Sequence, residues 1–523
     1  MKSRTLSATS LILLTPLIVL AFQAQADQVR GTELKSKSDQ TGGAQSAKVT
    51  AKLLHTIPAA NLFWWSPDSR ILVMPYVDDS PIVNVSLYDV ATGKARAVIK
   101  IDGPLTEKGV YFTPNGSAMV IHTNRVRLYD MADGKLLREL AEGTTPINLY
   151  DRIFQGHTQR ADYSDNTSED INVGPSNEEY LMELPTRYVS HRIISPDGTS
   201  LLARGKEGKA QVYDLSTGVL KFTLWPSTIS GNKKDQERGA LGEFSPDGRL
   251  IVTTPAPRLW NASTGDLIAD LGPQSDAVYG ARFSHDTRFV ATTSFDGIVK
   301  IWDATTGKLL RAIGSKKEPI YFAAWNPINS SFVTKSRKWE ISVWNAETGG
   351  LVCKLDNKAI KEKFDANLTF EYSPDGKLLL TLARGRTRTS VLWPLVNKPK
   401  LIAHLWDAQT GSIIASLRDS KGDSAIIYPD DDKFLWSPAG DFLITAGPWV
   451  KIWNRRGELM QELDGNALFS AALSPDGKLL AIGGYPHITA PSLFGMVGKV
   501  FVGKLPKDEG MNTYVWQIDG AGR

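Results

Sequence analysis

Nine times along the chain an aromatic residue is followed by a short polar residue and then a turn. The copies are Tyr88-Asp89, Tyr129-Asp130, Tyr213-Asp214, Trp260-Asn261, Trp302-Asp303, Trp344-Asn345, Trp406-Asp407, Trp453-Asn454 and, in a weaker form, Trp516-Gln517. The clearest copy closes the stretch Ala281 to Gly307, ARFSHDTRFVATTSFDGIVKIWDATTG. It reads as three strands: one ending at Phe283, a second over Phe289 to Thr293 and a third over Ile298 to Trp302. Val299-Lys300-Ile301-Trp302 alternates faces as a strand does, and Asp296-Gly297 and Thr306-Gly307 supply the positive φ that tight turns need. So small a unit cannot bury both of its faces. It has to be repeated.

The spacing fits that requirement. Steps from Trp260 to Trp302 and from Trp302 to Trp344 sit at the period of one four-stranded sheet, whereas the steps from Tyr129 to Tyr213, Trp344 to Trp406 and Trp453 to Trp516 require insertions. A Ser-Pro-Asp-Gly turn or a variant precedes most copies: Ser66-Pro67-Asp68, Thr113 to Gly116, Ser195 to Gly198, Ser245 to Gly248, Ser373 to Gly376, Ser437-Pro438 and Ser474 to Gly477. Jointly these residues resemble WD40 repeats, over nearly all of the chain after about residue 50. The resemblance implies an all-β fold, a single β-propeller of eight or nine four-stranded blades; seven blades with divergent appendages is the alternative. In such propellers the outermost strand of a blade belongs in sequence to the next repeat. Lys52 to Ile57 would then pair with Thr513 to Ile518 and close the ring, removing the open seam of a linear array.

The N-terminus is of another kind. Lys2 and Arg4 precede an apolar run, Leu11 to Phe22, and Ala24-Gln25-Ala26 has the small-x-small form of a cleavage site, which predicts a secretory signal over 1–26 and a mature chain from Asp27. The run is shorter than the ~20 residues that span a bilayer, and no second membrane-length segment follows, so no stable membrane insertion is expected. Residues 27–50, rich in Ser, Thr, Gln, Gly and Lys, read as a disordered leader, and 51–523 as the propeller, with insertions near 143–187, 384–400 and 483–510. The expected location is secreted or periplasmic. Cys353 is the sole cysteine, so packing and ring closure replace disulfides, and its strand-like setting predicts an inert thiol.

Charge does not choose a partner. Sixty Lys and Arg against 56 Asp and Glu give +4, too little and too dispersed for a nucleic-acid surface. The seven histidines, His55, His122, His157, His191, His285, His404 and His487, have no metal-ligand spacing, no H-E-x-x-H or G-x-S-x-G is present, and glycines punctuate turns rather than cradle phosphate. No catalytic, cofactor or metal residue is nominated, and Asp430-Asp431-Asp432 reads as a solvated turn. WD40 blades often carry a buried relay of His, Ser or Thr, Asp and Trp, and Ser294, Asp296 and Trp302 resemble part of it. The blade-end aromatics Tyr88, Tyr129, Tyr213, Trp260, Trp344, Trp406, Trp453 and Trp516 are expected between blades. The basic loop with Arg384, Arg386 and Arg388 is the one candidate for gripping an acidic partner.

Function is therefore expected to be recognition: a monomeric, non-catalytic scaffold for an unidentified protein partner, without cofactor. Two rival classes stay open. One is a propeller enzyme, a lactonase-like hydrolase or a quinoprotein-like dehydrogenase, whose ionisable groups would converge at the axis. The other is an envelope carbohydrate- or peptide-binding module with exposed aromatics on one rim.

Overall fold

The computed structural model describes residues 49–519 apart from 59–62, 77–81, 103–104, 106–108, 124, 141–144, 147–191, 205–208, 225–240, 255, 273–277, 295, 316, 318, 337–339, 357–368, 385–400, 418–432, 447–449, 464–469 and 485–511. The expected signal and most of the expected leader, 1–48, lie outside the described residues, as do most of the three expected insertions. All regular structure among the described residues is β-strand, arranged as nine four-stranded antiparallel sheets. The count is nine blades, the upper of the two expected values.

The fifth blade shows the plan. Its strands Val278–Phe283, Phe289–Ser294, Val299–Asp303 and Leu309–Ile313 follow one another from the innermost position outward, each paired with the next. A register shift falls between Ile301 and Trp302 on the third strand, and the same irregularity recurs beside Tyr129, Trp344 and Trp453. Such a bulge leaves one unopposed residue and sharpens the twist. The unopposed residue is on the fourth strand, Leu310 in this blade.

No blade has a core of its own. Buried apolar residues fall into nine clusters, each drawn from two consecutive blades. Trp302, for example, packs with Val290 and Phe283 of its own blade and with Val252, Leu259 and Leu271 of the fourth. Trp453 and Trp406, both fully buried, do the same against the seventh and sixth blades. Removing such a ring to Ala costs about 3–5 kcal/mol. The wedge between blades is thus the unit of stability, and nine wedges require a closed circle.

The circle closes where the repeat pattern predicts. Thr50–Pro58 pairs antiparallel with Asn512–Asp519, from Thr50 opposite Asp519 to Pro58 opposite Asn512, and completes the ninth blade with Ser470–Leu473 and Leu479–Gly484. Contacts on both flanks hold this strand. Ala51 N–H donates to Gln461 Oε1 of the eighth blade (2.8 Å), and His55 Nε2 donates to Val90 O of the first (2.8 Å). Farther in, Trp65 Nε1 donates to Ala472 O (3.0 Å) and Asp476 N to Ser69 Oγ (3.1 Å).

The third blade departs from the plan. Its innermost strand comes in two pieces: Thr145 and Pro146 pair with Arg204 and Ala203, and Ile194 bridges Leu201 while Leu202 N–H donates to Ile193 O. Thr145 and Pro146 fall inside the span 143–187 expected as an insertion, so the chain begins the strand, departs after Pro146 and returns at Arg192 to finish it. Backbone groups along Ser200–Arg204 need inner partners wherever they come from, and two fragments satisfy them as one strand would.

Candidate functional site

Antiparallel pairing sorts the connections by rim. In the first eight blades the turn from first to second strand and the turn from third to fourth strand lie on the same rim, because alternate strands run in opposite directions; in the ninth, Asp519 and Thr50 stand where the third-to-fourth turn would be. The turns joining second to third strand, and one blade to the next, leave from the opposite rim. Among the described residues the first rim holds tight turns and, at the seam, the strand ends Thr50 and Asp519, while, 147–191 apart, each segment longer than ten residues missing from the description between 49 and 519 joins strand ends of the second: 225–240, 357–368, 385–400, 418–432 and 485–511.

The tight-turn rim is chemically saturated. In the Ser-Pro-Asp-Gly turns the serine hydroxyl donates to the Asp carboxylate, as Ser66 to Asp68, Ser245 to Asp247, Ser373 to Asp375 and Ser474 to Asp476, all at 2.6 Å. The serine oxygen in turn accepts the N–H that opens the next strand, as from Leu250, Leu378 and Leu479. Consecutive turns touch: a Cβ on Gly477 would stand 2.7 Å from Pro438 Cδ of the preceding blade. On the outer circle Asp303 Oδ1 accepts the N–H groups of Thr305 and Thr306 and the Thr306 hydroxyl, and Asp407 does the same with Gln409 and Thr410.

These bonds set the charge state. For Asp286 and Asp375, burial pushes the carboxyl up, but the serine hydroxyl and following backbone N–H outweigh it and the result lies below the usual range. For Asp407 the Thr410 N–H leads and the direction is the same. Carboxylates held this way are committed acceptors, unsuited to general-base work. Among the described residues no group of three His, Cys, Asp or Glu stands ready for a metal.

The residues singled out in the sequence are placed as follows. Ser294 and Asp296 come together: the Ser294 hydroxyl donates to Asp296 Oδ1, which also accepts Ile298 N–H at 2.9 Å. Trp302 does not join them, since its indole N–H donates to Thr292 Oγ1 (2.9 Å). Tyr129, Tyr213 and Trp260 are buried and Tyr88, Trp344 and Trp516 partly so, each against the preceding blade. Arg384 ends a strand with its backbone opposite Leu401, and Arg386 and Arg388 lie outside the described residues. Cys353 is buried, its thiol pushed up by burial and by Asp407, and Sγ–H donates to Ala408 O (3.4 Å).

Sequence reading missed a structural pair that the register makes plain. Trp260, Trp302, Trp344, Trp406 and Trp453 each donate their indole N–H to a threonine hydroxyl, of Thr253, Thr292, Thr334, Thr381 and Thr445, at 2.8–2.9 Å. The threonine always lies two residues beyond the tryptophan's register partner, as Trp453 opposite Leu443 with Thr445. Where the aromatic is Tyr88, Tyr129 or Tyr213, that position holds Met74, Ile121 or Ala203. Trp516 breaks the rule: Ile482 stands there, and the buried indole N–H has no partner among the described residues. A signal existed in the sequence, because each threonine follows the turn Ser or Asn by eight positions, Ser245 to Thr253, Ser284 to Thr292, Asn326 to Thr334, Ser373 to Thr381 and Ser437 to Thr445.

A second missed group lines the inner strands. Glu243, 1 % exposed, accepts Phe283 N–H across the blade boundary (2.9 Å) and lies 3.7 Å from Arg282. Such a pair ties two inner strands together and commits the Glu243 carboxylate.

Known proteins bear on this geometry. Residues 265–303 match the family model described as WD domain, G-beta repeat. No curated protein matches the chain in sequence. Among solved structures, a eukaryotic initiation factor superposes with a TM-score of 0.50 at 14% identity over 78% of this chain and 88% of that one. The C-terminal WD40 domain of Sif2 gives 0.43 at 12% identity over 76% and 95%, and the computationally designed Ika8 protein 0.41 at 16% over 77% and 98%.

Proposed function

We propose that this WD40-repeat β-propeller, nine-bladed and closed on itself, is a non-catalytic scaffold that binds a protein partner outside the cytoplasm through the rim from which its long connections leave. WD40 propellers generally mediate protein interactions. The single observation that carries the reading is the asymmetry between rims. On one, the described turns are short and in most of them a Ser hydroxyl and an Asp carboxylate satisfy each other; on the other, the connections vary in length and composition from blade to blade. Rigid strands position variable connections, the usual division of labour between scaffold and recognition surface. Export is supported by the basic, apolar and small-residue segments of Met1 to Ala26. Among the described residues no helix is long and apolar enough to cross a membrane.

The test is affinity capture with the chain from Asp27 onward, using an envelope fraction and two sets of variants. Replacing 485–511 by a short Gly-Ser link, or Lys317→Glu at an exposed position of the same rim, is expected to remove a captured protein. Arg70→Glu and Lys478→Glu on the tight-turn rim are expected to retain it. Retention by the first set and loss by the second would refute the choice of rim, and capture of no reproducible protein would refute the scaffold itself.

A further inference from the structure

Among the described residues, nine outer strands, one per blade, end their sheets with an unpaired edge. A free row of N–H and C=O groups invites another strand, and proteins blunt such edges with charged side chains. Eight of the nine edges are blunted in this way. Lys221, Asp270, Arg311, Lys354 and Glu462 guard the third, fourth, fifth, sixth and eighth blades, and the outer strands of the first, second and ninth also carry Lys or Arg.

The seventh blade is the exception. Its outer strand, Ile413–Ser416, reads Ile-Ile-Ala-Ser, with Ser412 before it and buried Leu417 after it, and holds no charge. Ile413 and Ile414 are 43% and 41% exposed. Ser416, the one polar side chain on the strand, is engaged inward, its hydroxyl 2.9 Å from Nδ1 of buried His404. What this edge offers is main-chain hydrogen bonding beside two aliphatic side chains, with nothing to repel an apolar strand.

We infer that the outer edge of the seventh blade is a strand-addition site for an extended, uncharged segment of a partner protein, with aliphatic or threonine residues at alternate positions. Main-chain pairing supplies affinity in this mode and alternate side chains supply selectivity. The length of the edge argues for a flexible segment rather than a folded copy of this chain. Four residues at ~3.3 Å each give about 13 Å of edge, far short of a stable interface of roughly 1,200–2,000 Å² between rigid bodies. This surface lies on the circumference, distinct from the rim proposed above, and stands or falls separately from it.

The experiment uses the chain from Asp27 and, as probe, a labelled six-residue peptide of alternating threonine and valine with both termini capped. Fluorescence anisotropy reads binding and amide exchange reads protection over Ile413 to Ser416. Wild type is expected to bind, with protection confined to that strand. Ile414→Lys, which puts there the kind of charge the other edges carry, is expected to weaken binding at least tenfold. Leu351→Lys on the already guarded sixth blade is expected to leave it unchanged, and both variants keep their exposed sites outside the core. Equal binding by wild type and Ile414→Lys, or no binding at 1 mM peptide, would overturn the inference. So would self-association of wild type abolished by Ile414→Lys, which would make a second copy the occupant. Deleting 485–511 is expected to leave peptide binding intact, so failure of the rim proposal is told apart from failure of this one.

Discussion

Replacing Thr445 by valine keeps the size of the side chain and removes one oxygen. That oxygen accepts the Trp453 indole N–H at 2.9 Å, in a site where Trp453 is fully buried and Thr445 is 2% exposed. Water cannot substitute, so Thr445→Val leaves a buried donor unmade at a cost of about 1–3 kcal/mol, against which the added methyl recovers about 0.8 kcal/mol. The expected net loss is ~1–2 kcal/mol. Trp453→Phe removes the donor instead, and in the double variant the coupling energy isolates the hydrogen bond at about 1 kcal/mol. Urea unfolding measures the totals, and amide exchange across Phe442–Ala446 measures the local effect without assuming that the whole ring unfolds in one step. The ninth blade supplies the converse. Ile482→Thr offers the Trp516 indole an acceptor, whereas Ile121→Thr faces Tyr129 at the same register. The first should cost less than the second by ~1 kcal/mol. A coupling near zero in the cycle, together with equal costs for the two isoleucine variants, would refute the pairing of tryptophan with threonine.

Other outcomes follow from the same geometry. His122 shares a strand face with Ala118 and Val120, which pack against the third blade, and burial lowers its imidazole from 6.5 to about 4. Since the folded pKa is depressed, the unfolded chain binds the extra proton between those values; stability is full above pH 6.5 and falls toward pH 4 by up to roughly 3 kcal/mol. His122→Leu should flatten that part of a denaturation-against-pH curve, and an unchanged slope would contradict the assignment. Thr287 holds φ at 61° where six other blades have Gly, so Thr287→Gly should be neutral or stabilise by up to ~1 kcal/mol. Gly477→Ala should destabilise by at least ~1 kcal/mol, because φ is 74° and the new Cβ would meet Pro438. Thermal melts compare the two, and a gain for Gly477→Ala would count against the turn geometry. Gln461→Ala removes both bonds to the Ala51 backbone. It should speed amide exchange in Thr50–Pro58 before any other outer strand, and uniform exchange would show that the seam is not held there.

How much of this was legible follows from which interactions are local. The Ser-Pro-Asp-Gly and Asp-Thr-Gly turns bond within a few residues, so their residue types announce them, and the repeat they mark implied the ring and its closing pair. The break in the third blade was not legible, because Thr145-Pro146 and Ile193-Ile194 form one strand only through a shared partner, Ser200–Arg204. The threonine acceptors hid for a related reason: the second-to-third-strand connection varies, placing Thr253 and Thr381 at different distances before Trp260 and Trp406. Measured from the turn serine the distance is constant. Resemblance to the familiar relay led to Ser294 as the partner of Trp302; Thr292 and Ser294 share a strand face, and it is position along the strand that separates them. Thr292 lies on the face of Val290 and Trp302, one residue pair away from the turn that holds Ser294 and Asp296. Arg386 and Arg388 lie outside the described residues.

The ring is closed only if the first strand completes the last blade. Lys52 and Gln517 face each other across that seam, at the 4.5–5.5 Å Cα separation of antiparallel partners, within reach of a disulfide. The natural thiol, Cys353, is buried in another blade and does not compete. A Lys52→Cys/Gln517→Cys chain should cross-link within one molecule under mild oxidation, giving a single species of altered mobility, while Lys52→Cys/Lys308→Cys should not. Failure of the first pair to link, or linkage only between molecules, would contradict the closed ring.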